Sequence, residues 1–160
     1  QYRFAPRPPA RILDFGCGNG EFLLRLEPLG HELYGAEYDP HLLGAVAEKG
    51  VAIMHVADVE QSLPSGTLDH VTLAHVLEHV PDPAALLGRL FALLRPGGTL
   101  FIEVPNAQAT GLDLFGCSWR GLEAPRHFAL PTRAALTAML RQIGFTIAAQ
   151  PINRSARGWV

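Results

Sequence analysis

The sequence predicts an α/β fold: a doubly wound, mostly parallel sheet with helices on both faces. Two observations predict it. Apolar runs rich in β-branched residues alternate along the chain with amphipathic segments. These runs are almost continuously apolar, which is typical of strands whose two faces are both covered. With 160 residues, the chain is expected to form a single domain over 1–160.

Six apolar runs are predicted strands. In chain order they are Arg11–Phe15, Glu32–Ala36, Val51–Val56, Leu68–Ala74, Thr99–Val104 and Phe145–Ala148. Residues 1–10 form a short N-terminal extension. Because the first residue is Gln1, we expect the sequence to begin inside a longer protein.

Helices are predicted between these runs from start signals and periodicity. Asp39-Pro40, Asp82-Pro83 and Thr132 supply N-caps. Glycines follow the periodic segments as stop signals, at Gly30, Gly50, Pro96-Gly97-Gly98 and Gly144. Two segments repeat apolar residues at helical spacing, namely Leu86, Leu90, Phe91 and Leu94 in one and Leu136, Met139, Leu140 and Ile143 in the other. Residues 105–131 form the only long irregular stretch.

The charge balance, the lengths of the apolar runs and the cysteine content limit the classes of partner that are expected. The chain has 13 basic and 15 acidic residues, so no nucleic-acid or anionic-membrane surface is expected. No apolar run reaches the roughly 20 residues of a membrane helix. Two isolated cysteines, Cys17 and Cys117, favour a reducing, cytoplasmic location. A small-molecule partner is therefore expected, and the oligomeric state stays open.

A glycine-rich turn follows the first strand, with Gly16, Gly18 and Gly20 after Asp14. Open α/β sheets bind ligands at this place, the carboxyl ends of the strands. The alternative is a turn that merely needs positive φ. A dinucleotide motif would place its third glycine at position 21, where Glu21 would repel a pyrophosphate. A cationic ligand without phosphate fits the loop better.

Acidic residues end the next two strands. Glu37 stands where a carboxylate accepts both hydroxyls of a ribose, and Asp58 with the Val59 N–H can bind an adenine edge. The alternatives are a solvated strand end for Glu37 and a helix cap or turn for Asp58.

Four stretches in this order and spacing, ILDFGCGNG, YGAEYDP, ADVEQSLPSGTLDHVTLAHVLEHVPDP and LRPGGTLFIEVPN, resemble the class I S-adenosylmethionine-dependent methyltransferases. The resemblance implies a Rossmann-like methyltransferase fold with S-adenosylmethionine as cofactor. It assigns roles to matching positions: Asp14, Gly16, Cys17 and Gly18 at the methionine half, Glu37 at the ribose, Asp58 and Val59 at the adenine, and Ala74 and His75 beside the amine and sulfonium. Gly20 and Tyr38 are further cofactor-binding candidates.

In one respect the sequence departs from the family pattern, namely the number of strands. The family sheet has seven strands, yet only Pro151–Val160 follows the sixth predicted strand. The seventh strand is expected to be missing, short or beyond this sequence.

His75, Glu78 and His79 spell H-x-x-E-H, a zinc-hydrolase pattern. A zinc site would need both histidines on one sustained helix. His75 directly follows a strand and Val80-Pro81 disfavours a helix beyond one turn. No metal is therefore expected.

Methyl transfer can use a general base, and histidine titrates near working pH. His127 and His79 are the candidates. The 105–131 loop is expected on the acceptor side, with Trp119 and Phe128 as an apolar wall. The alternatives are that Trp119 anchors the loop in the core and that His127 bonds a backbone carbonyl.

The sequence thus predicts methyl transfer from S-adenosylmethionine to an oxygen, nitrogen or carbon atom of a small acceptor. The alternative is a non-catalytic domain that binds the same cofactor as a sensor or partner subunit. A nicotinamide oxidoreductase is a third, weaker hypothesis.

Overall fold

The structure is a computed structural model and describes residues 9–119, 122–123 and 125–149. The chain divides into two compact units. The first contains the residues up to Val76 together with Arg89–Glu103, and the second contains Leu77–Gly88 and the residues from Val104 onward. The expected N-terminal extension lies almost wholly outside the described residues, and the single domain over 1–160 stays a prediction.

The first unit is built on a five-stranded sheet in the order β3-β2-β1-β4-β5. Every pair is parallel. The strand order reverses between β1 and β4, so right-handed connections place helices on both faces and leave a crevice at that switch point. The predicted fold class is confirmed. The strands are β1 Arg11–Phe15, β2 Glu32–Glu37, β3 Ala52–His55, β4 Leu68–Ala74 and β5 Leu94–Glu103.

The α-helices begin near the predicted caps. Asp82 Oδ1 accepts the Ala85 N–H at 3.0 Å, and Thr132 Oγ1 accepts the Ala135 N–H at 3.2 Å. Asp39 caps a 3₁₀ turn, Pro40–Leu43, rather than an α-helix. The α-helices are α1 Glu21–Leu26, α2 Gly44–Ala47, α3 Val59–Ser62, α4 Pro83–Leu93, α5 Thr110–Phe115 and α6 Arg133–Ile143. In the part of the chain that the structure describes, no helix has the length and apolarity to cross a membrane.

The amino ends of three strands meet at Asp69. Its carboxylate accepts the Arg11 N–H at 2.8 Å and the Arg95 Nε–H at 2.5 Å. The hydrogen bond from Arg11 is the main cause of the lowered pKa of Asp69. One carboxylate therefore links β1, β4 and β5 at the end of the sheet opposite the glycine loop.

The Pro96-Gly97-Gly98 cluster follows α4, which ends at Leu93, as predicted. The next strand begins at Leu94 rather than at Thr99, so the cluster lies inside β5, where an irregularity in the pairing between Leu68–Leu94 and His70–Thr99 accommodates the extra residues. One element prediction is wrong. The predicted strand Phe145–Ala148 is irregular. The Phe145 N–H donates to the Leu140 carbonyl at 3.0 Å, so it completes the end of α6 instead of joining a sheet. Residues 151–160 lie outside the described range.

Fully buried apolar residues lie in the sheet and in α4. Ile12, Leu13 and Leu73 are fully buried. In α4 and the start of β5, the predicted Leu86, Leu90 and Leu94 are buried, but Phe91 is 40% exposed and Leu87 and Leu93 are buried in its place. The α6 stripe is only half-buried.

Candidate functional site

The glycine loop turns sharply at the carboxyl end of β1. The Gly16 and Cys17 N–H groups both donate to the Ala36 carbonyl, at 2.7 and 3.1 Å, which holds the loop against β2. Gly16 has φ +75°, and a Cβ there would lie 2.4 Å from Val76 Cγ2. Gly18 has φ +54°, and a Cβ there would meet nothing within 4 Å. Gly16 is therefore required by its positive φ and by the close approach of the Val76 side chain, whereas Gly18 leaves open space beside the loop.

Asp14 is the buried acid of this loop, with 6% of its surface exposed. The Thr72 hydroxyl donates to its Oδ1 at 2.5 Å. Burial raises the pKa of Asp14; the Thr72 hydrogen bond opposes that shift, and the charge of Glu37 adds to it. A cationic group placed beside Asp14 would relieve both the desolvation and the repulsion.

A cavity of about 480 Å³ opens at this loop. Most of the residues predicted for the methionine half of the cofactor line it together: Asp14, Gly16, Cys17, Gly18, Ala74 and His75. Four further lining residues lie outside the predicted cofactor set: Asn19, Phe22, Arg25 and Glu21, which was noted only for its charge. The signal for the last three was the start of α1 at Glu21, since residues three or four apart on a helix share a face.

Cys17 is buried in the loop. Burial, together with the charges of Asp14 and Glu37, raises the pKa of its thiol to about 12. The thiol therefore stays protonated at neutral pH, which agrees with a packing role.

Glu37 is tied to the glycine loop. Its Oε2 accepts the Gly18 N–H at 2.7 Å, and its Oε1 accepts the Tyr38 N–H at 2.7 Å. A carboxylate has about four acceptor positions, so two remain for ligand hydroxyls. Glu37 does not line the 480 Å³ cavity. Tyr38 is 78% exposed, and its ring centroid lies 5.4 Å from that of His55.

The remaining predicted cofactor residues, Gly20, Asp58 and Val59, do not line that cavity. Gly20 is the N-cap of α1 and is crowded by Val46. Asp58 is exposed just before α3 and makes no side-chain cap there, and Val59 is buried. Their roles in cofactor binding stay predictions.

His75 turns the chain at the end of β4. It has φ +57°, a left-handed conformation that is strained for a residue with a side chain. Its N–H donates to the Glu103 carbonyl at 2.9 Å, and its Nε2 lies 3.9 Å from Glu103 Oε1. The following Leu77–His79 is one 3₁₀ turn, as expected, and not the sustained helix of the zinc motif.

In the second unit, the structure brings together Glu78, His79 and His127. One ligand-type atom from each lies within 4.8 Å of the others. The two imidazole rings meet edge to face, with centroids 4.7 Å apart, and Glu78 is fully buried. These side chains are also of the types that bind metal ions, so the expectation of no metal stays a prediction.

Polar contacts orient both histidines. His79 Nδ1 lies 3.0 Å from the Arg126 carbonyl, so Nδ1 carries the proton and donates it. His127 Nε2 lies 3.4 Å from Glu123 Oε2, and only 4% of the His127 side chain is exposed. His79 thus makes a contact with a backbone carbonyl of the kind expected as an alternative for His127, and for His127 that alternative stays a prediction.

The predicted acceptor-side loop is partly helical. It contains α5 and a 3₁₀ turn, Gly116–Ser118. Trp119 packs on Gly111 so closely that a Cβ on Gly111 would lie 2.4 Å from Trp119 Nε1. Phe128 is 66% exposed, and its N–H donates to the Glu78 carbonyl at 2.7 Å. Trp119 therefore anchors the loop on α5, whereas Phe128 leaves an apolar ring at the surface.

A family model described as "Methyltransferase domain" matches residues 2–150 of this chain. The chain belongs to this methyltransferase family. The resemblance to class I S-adenosylmethionine-dependent enzymes is thereby confirmed, and with it S-adenosylmethionine as the cofactor.

Individual proteins similar to this chain are also named methyltransferases. A ubiquinone biosynthesis O-methyltransferase of Xanthomonas campestris is 36% identical over 107 residues, covering 62% of this chain and 44% of the relative. That of Xanthomonas euvesicatoria is 32% identical over 154 residues, covering 86% and 63%. A crystal structure of a SAM-dependent methyltransferase from Archaeoglobus fulgidus superposes with a TM-score of 0.68 and 26% identity, covering 88% of this chain and 62% of that one. The chain spans less than two thirds of the length of these relatives.

Proposed function

We propose that this methyltransferase binds S-adenosylmethionine at the carboxyl ends of β1 and β4 and methylates an oxygen atom of a small molecule. The observation that carries the proposal is the buried Asp14 carboxylate at a glycine-lined cavity. Such a carboxylate attracts an ammonium or sulfonium group and repels phosphate. The residues present therefore fit this cofactor and disfavour a dinucleotide.

Each part of the cofactor has a proposed protein partner. Asp14 accepts hydrogen bonds from the ammonium group, and the open space beside Gly18 lets the ligand approach the backbone. The free acceptor positions of Glu37 take the ribose hydroxyls. Asp58 and the Val59 N–H bind the adenine edge, and Ala74 with His75 closes the cavity beside the sulfonium.

When bound, the cofactor supplies a methyl group whose C–S bond breaks, leaving the electron pair on sulfur, as the acceptor oxygen forms the new O–C bond. The hydroxyl proton must then leave the acceptor. In our proposal His127 takes it, because Glu123, at 3.4 Å, stabilises the resulting imidazolium. The alternative base is His79, whose Nδ1–H is committed to the Arg126 carbonyl, so only its Nε2 can accept a proton.

Oxygen is proposed as the accepting atom because the two curated relatives are named O-methyltransferases. A hydroxyl group also needs a base more than an amine does, which agrees with the paired histidines. Exposed apolar side chains of the second unit, Leu114, Phe115 and Phe128, favour an acceptor with an apolar part.

The experiment is titration calorimetry followed by product detection. We expect the protein to bind S-adenosylhomocysteine and to methylate at least one ortho-dihydroxybenzene in a panel that includes matched primary amines. Binding of NADH without either sulfur ligand would contradict the cofactor assignment. Methylation of amines alone would contradict the choice of oxygen.

The general base is tested with His127→Gln. We expect kcat to fall by about 10²–10⁴-fold, with unchanged affinity for S-adenosylhomocysteine. The matched control is His41→Gln, an exposed histidine outside the cluster, which should keep full activity. An unchanged kcat in His127→Gln, with His79→Gln inactive, would transfer the role to His79.

A further inference from the structure

The cavity beside the glycine loop contains one basic side chain that the loop sequence does not reveal. Arg25, on the first helix after the loop, lines this cavity together with Asp14. Among the cavity-lining residues that the structure describes, it is the only Lys or Arg. The cavity therefore has a buried carboxylate, Asp14, and an exposed ion pair, Glu21–Arg25, that supplies its guanidinium.

The methionine half of the cofactor has the complementary pair of charges, an α-ammonium and an α-carboxylate. Asp14 suits the ammonium but repels the carboxylate, so the carboxylate requires a different partner. A guanidinium is well matched to a carboxylate because it offers paired N–H donors in one plane.

Arg25 is available for this role. It is paired with Glu21 one helical turn earlier, and the Arg25 side chain is 74% exposed. An exposed pair of this kind contributes little to stability, so adding or exchanging a ligand carboxylate costs little. A guanidinium has five N–H donors and can bind a ligand carboxylate while it keeps Glu21.

We propose that Arg25 binds the α-carboxylate of the methionine half and makes the protein selective for cofactors that carry this group. The inference rests on the proposed cofactor site and adds a residue that determines specificity. Because Arg25 is largely exposed, its effect on affinity is moderate, about tenfold.

The test compares S-adenosylmethionine with its decarboxylated form, which keeps the ammonium and the sulfonium. We expect the wild-type protein to prefer the carboxylated ligand by about tenfold in calorimetric Kd. Arg25→Gln should abolish that preference by weakening only the carboxylated ligand, and Arg25→Lys should keep part of it. The preference should also shrink as salt is raised, since salt screens exposed charges.

Two control variants test whether the preference for the carboxylated ligand comes from the guanidinium of Arg25. Arg89→Gln removes another arginine of the same unit, paired with Glu60 at 3.2 Å and outside the cavity, and should leave both affinities unchanged. Glu21→Gln removes the partner of Arg25 and should not weaken the carboxylated ligand.

An unchanged preference in Arg25→Gln would overturn the inference and leave the proposed function standing. An equal loss for both ligands would overturn it as well, since it would show a general effect on the cavity. If the wild-type protein bound neither ligand, the proposed cofactor site itself would fail.

Discussion

The two compact units differ in how firmly they hold the groups proposed to act. In the first, the glycine loop follows a strand whose Ile12 and Leu13 are fully buried, and the loop backbone donates hydrogen bonds to the neighbouring strand. In the second, Leu77, Glu78, Leu86 and Leu87 are buried, but Pro105 is the only buried residue among those described from position 104 onward. His79, Glu123 and Trp119 are held there by local polar or packing contacts.

The difference indicates that the proposed cofactor site and the proposed acceptor site depend on different physical constraints. The loop geometry follows from backbone conformations that only glycine adopts easily, so it is rigid and local. The histidine cluster joins the fully buried Glu78 to side chains from a segment whose residues are mostly exposed or half-buried. Regions with few buried apolar contacts open at low free-energy cost. We therefore expect substitutions in the first unit to affect the whole fold and those in the second to act locally.

The largest expected effect is that of Gly16→Ala. The new methyl group would meet Val76 at 2.4 Å on a backbone with φ +75°. Strain and overpacking should lower the free energy of unfolding by about 2–4 kcal/mol, measured by urea denaturation.

Gly18→Ala is the matched control for that substitution. It also has positive φ but has nothing within 4 Å of the added Cβ. It should cost about 1–2 kcal/mol and chiefly weaken cofactor binding, because the methyl group enters the ligand space. Equal losses of stability in the two variants would contradict the assigned roles.

An intermediate effect is expected from pH. The pKa of Asp14 is raised from 3.8, so acidification neutralises this carboxylate and should weaken S-adenosylmethionine binding, by about tenfold once it is protonated. Stability changes in the opposite direction. Because the folded-state pKa exceeds the unfolded one, the ligand-free fold gains stability as pH falls through the folded value, and loses that contribution as pH rises through it.

Calorimetry and denaturation across the acidic range would measure both trends. Asp14→Asn provides the baseline, since it removes this titration but keeps any contribution from His75, which also lines the cavity. An identical pH dependence in wild type and Asp14→Asn would exclude Asp14 as the titrating group.

The smallest effect is expected from Gly111→Ala in the second unit. The added Cβ would meet Trp119 Nε1 at 2.4 Å, so the indole must move away from α5. Hydrogen exchange of residues 110–119 should accelerate, with a change in global stability below about 1 kcal/mol and unchanged affinity for S-adenosylhomocysteine. A loss of stability as large as that of Gly16→Ala would remove the contrast between the units.

The fold was predictable where sequence signals are local. The run Arg11–Phe15 became β1 with the same limits, and the Asp82 and Thr132 caps begin the helices they predict. The failures have a common cause. Phe145–Ala148 has the composition of a strand, but a strand also needs a partner, and the Phe145 N–H is used by the end of α6. Phe91 matched the helical period, yet Leu87 and Leu93 were nearer the core.

The features of the candidate site likewise fall into those that local sequence signals predict and those that they do not. By itself the sequence determined the strand–helix order, the glycine turn and the acids that end β1 and β2, because these depend on neighbouring residues and on backbone conformation. Only the tertiary structure decided that Thr72 binds Asp14, that Arg25 reaches the cavity, and that His79 meets His127. Those contacts join residues through packing of the chain in space, and no local pattern records which side chains such packing brings together.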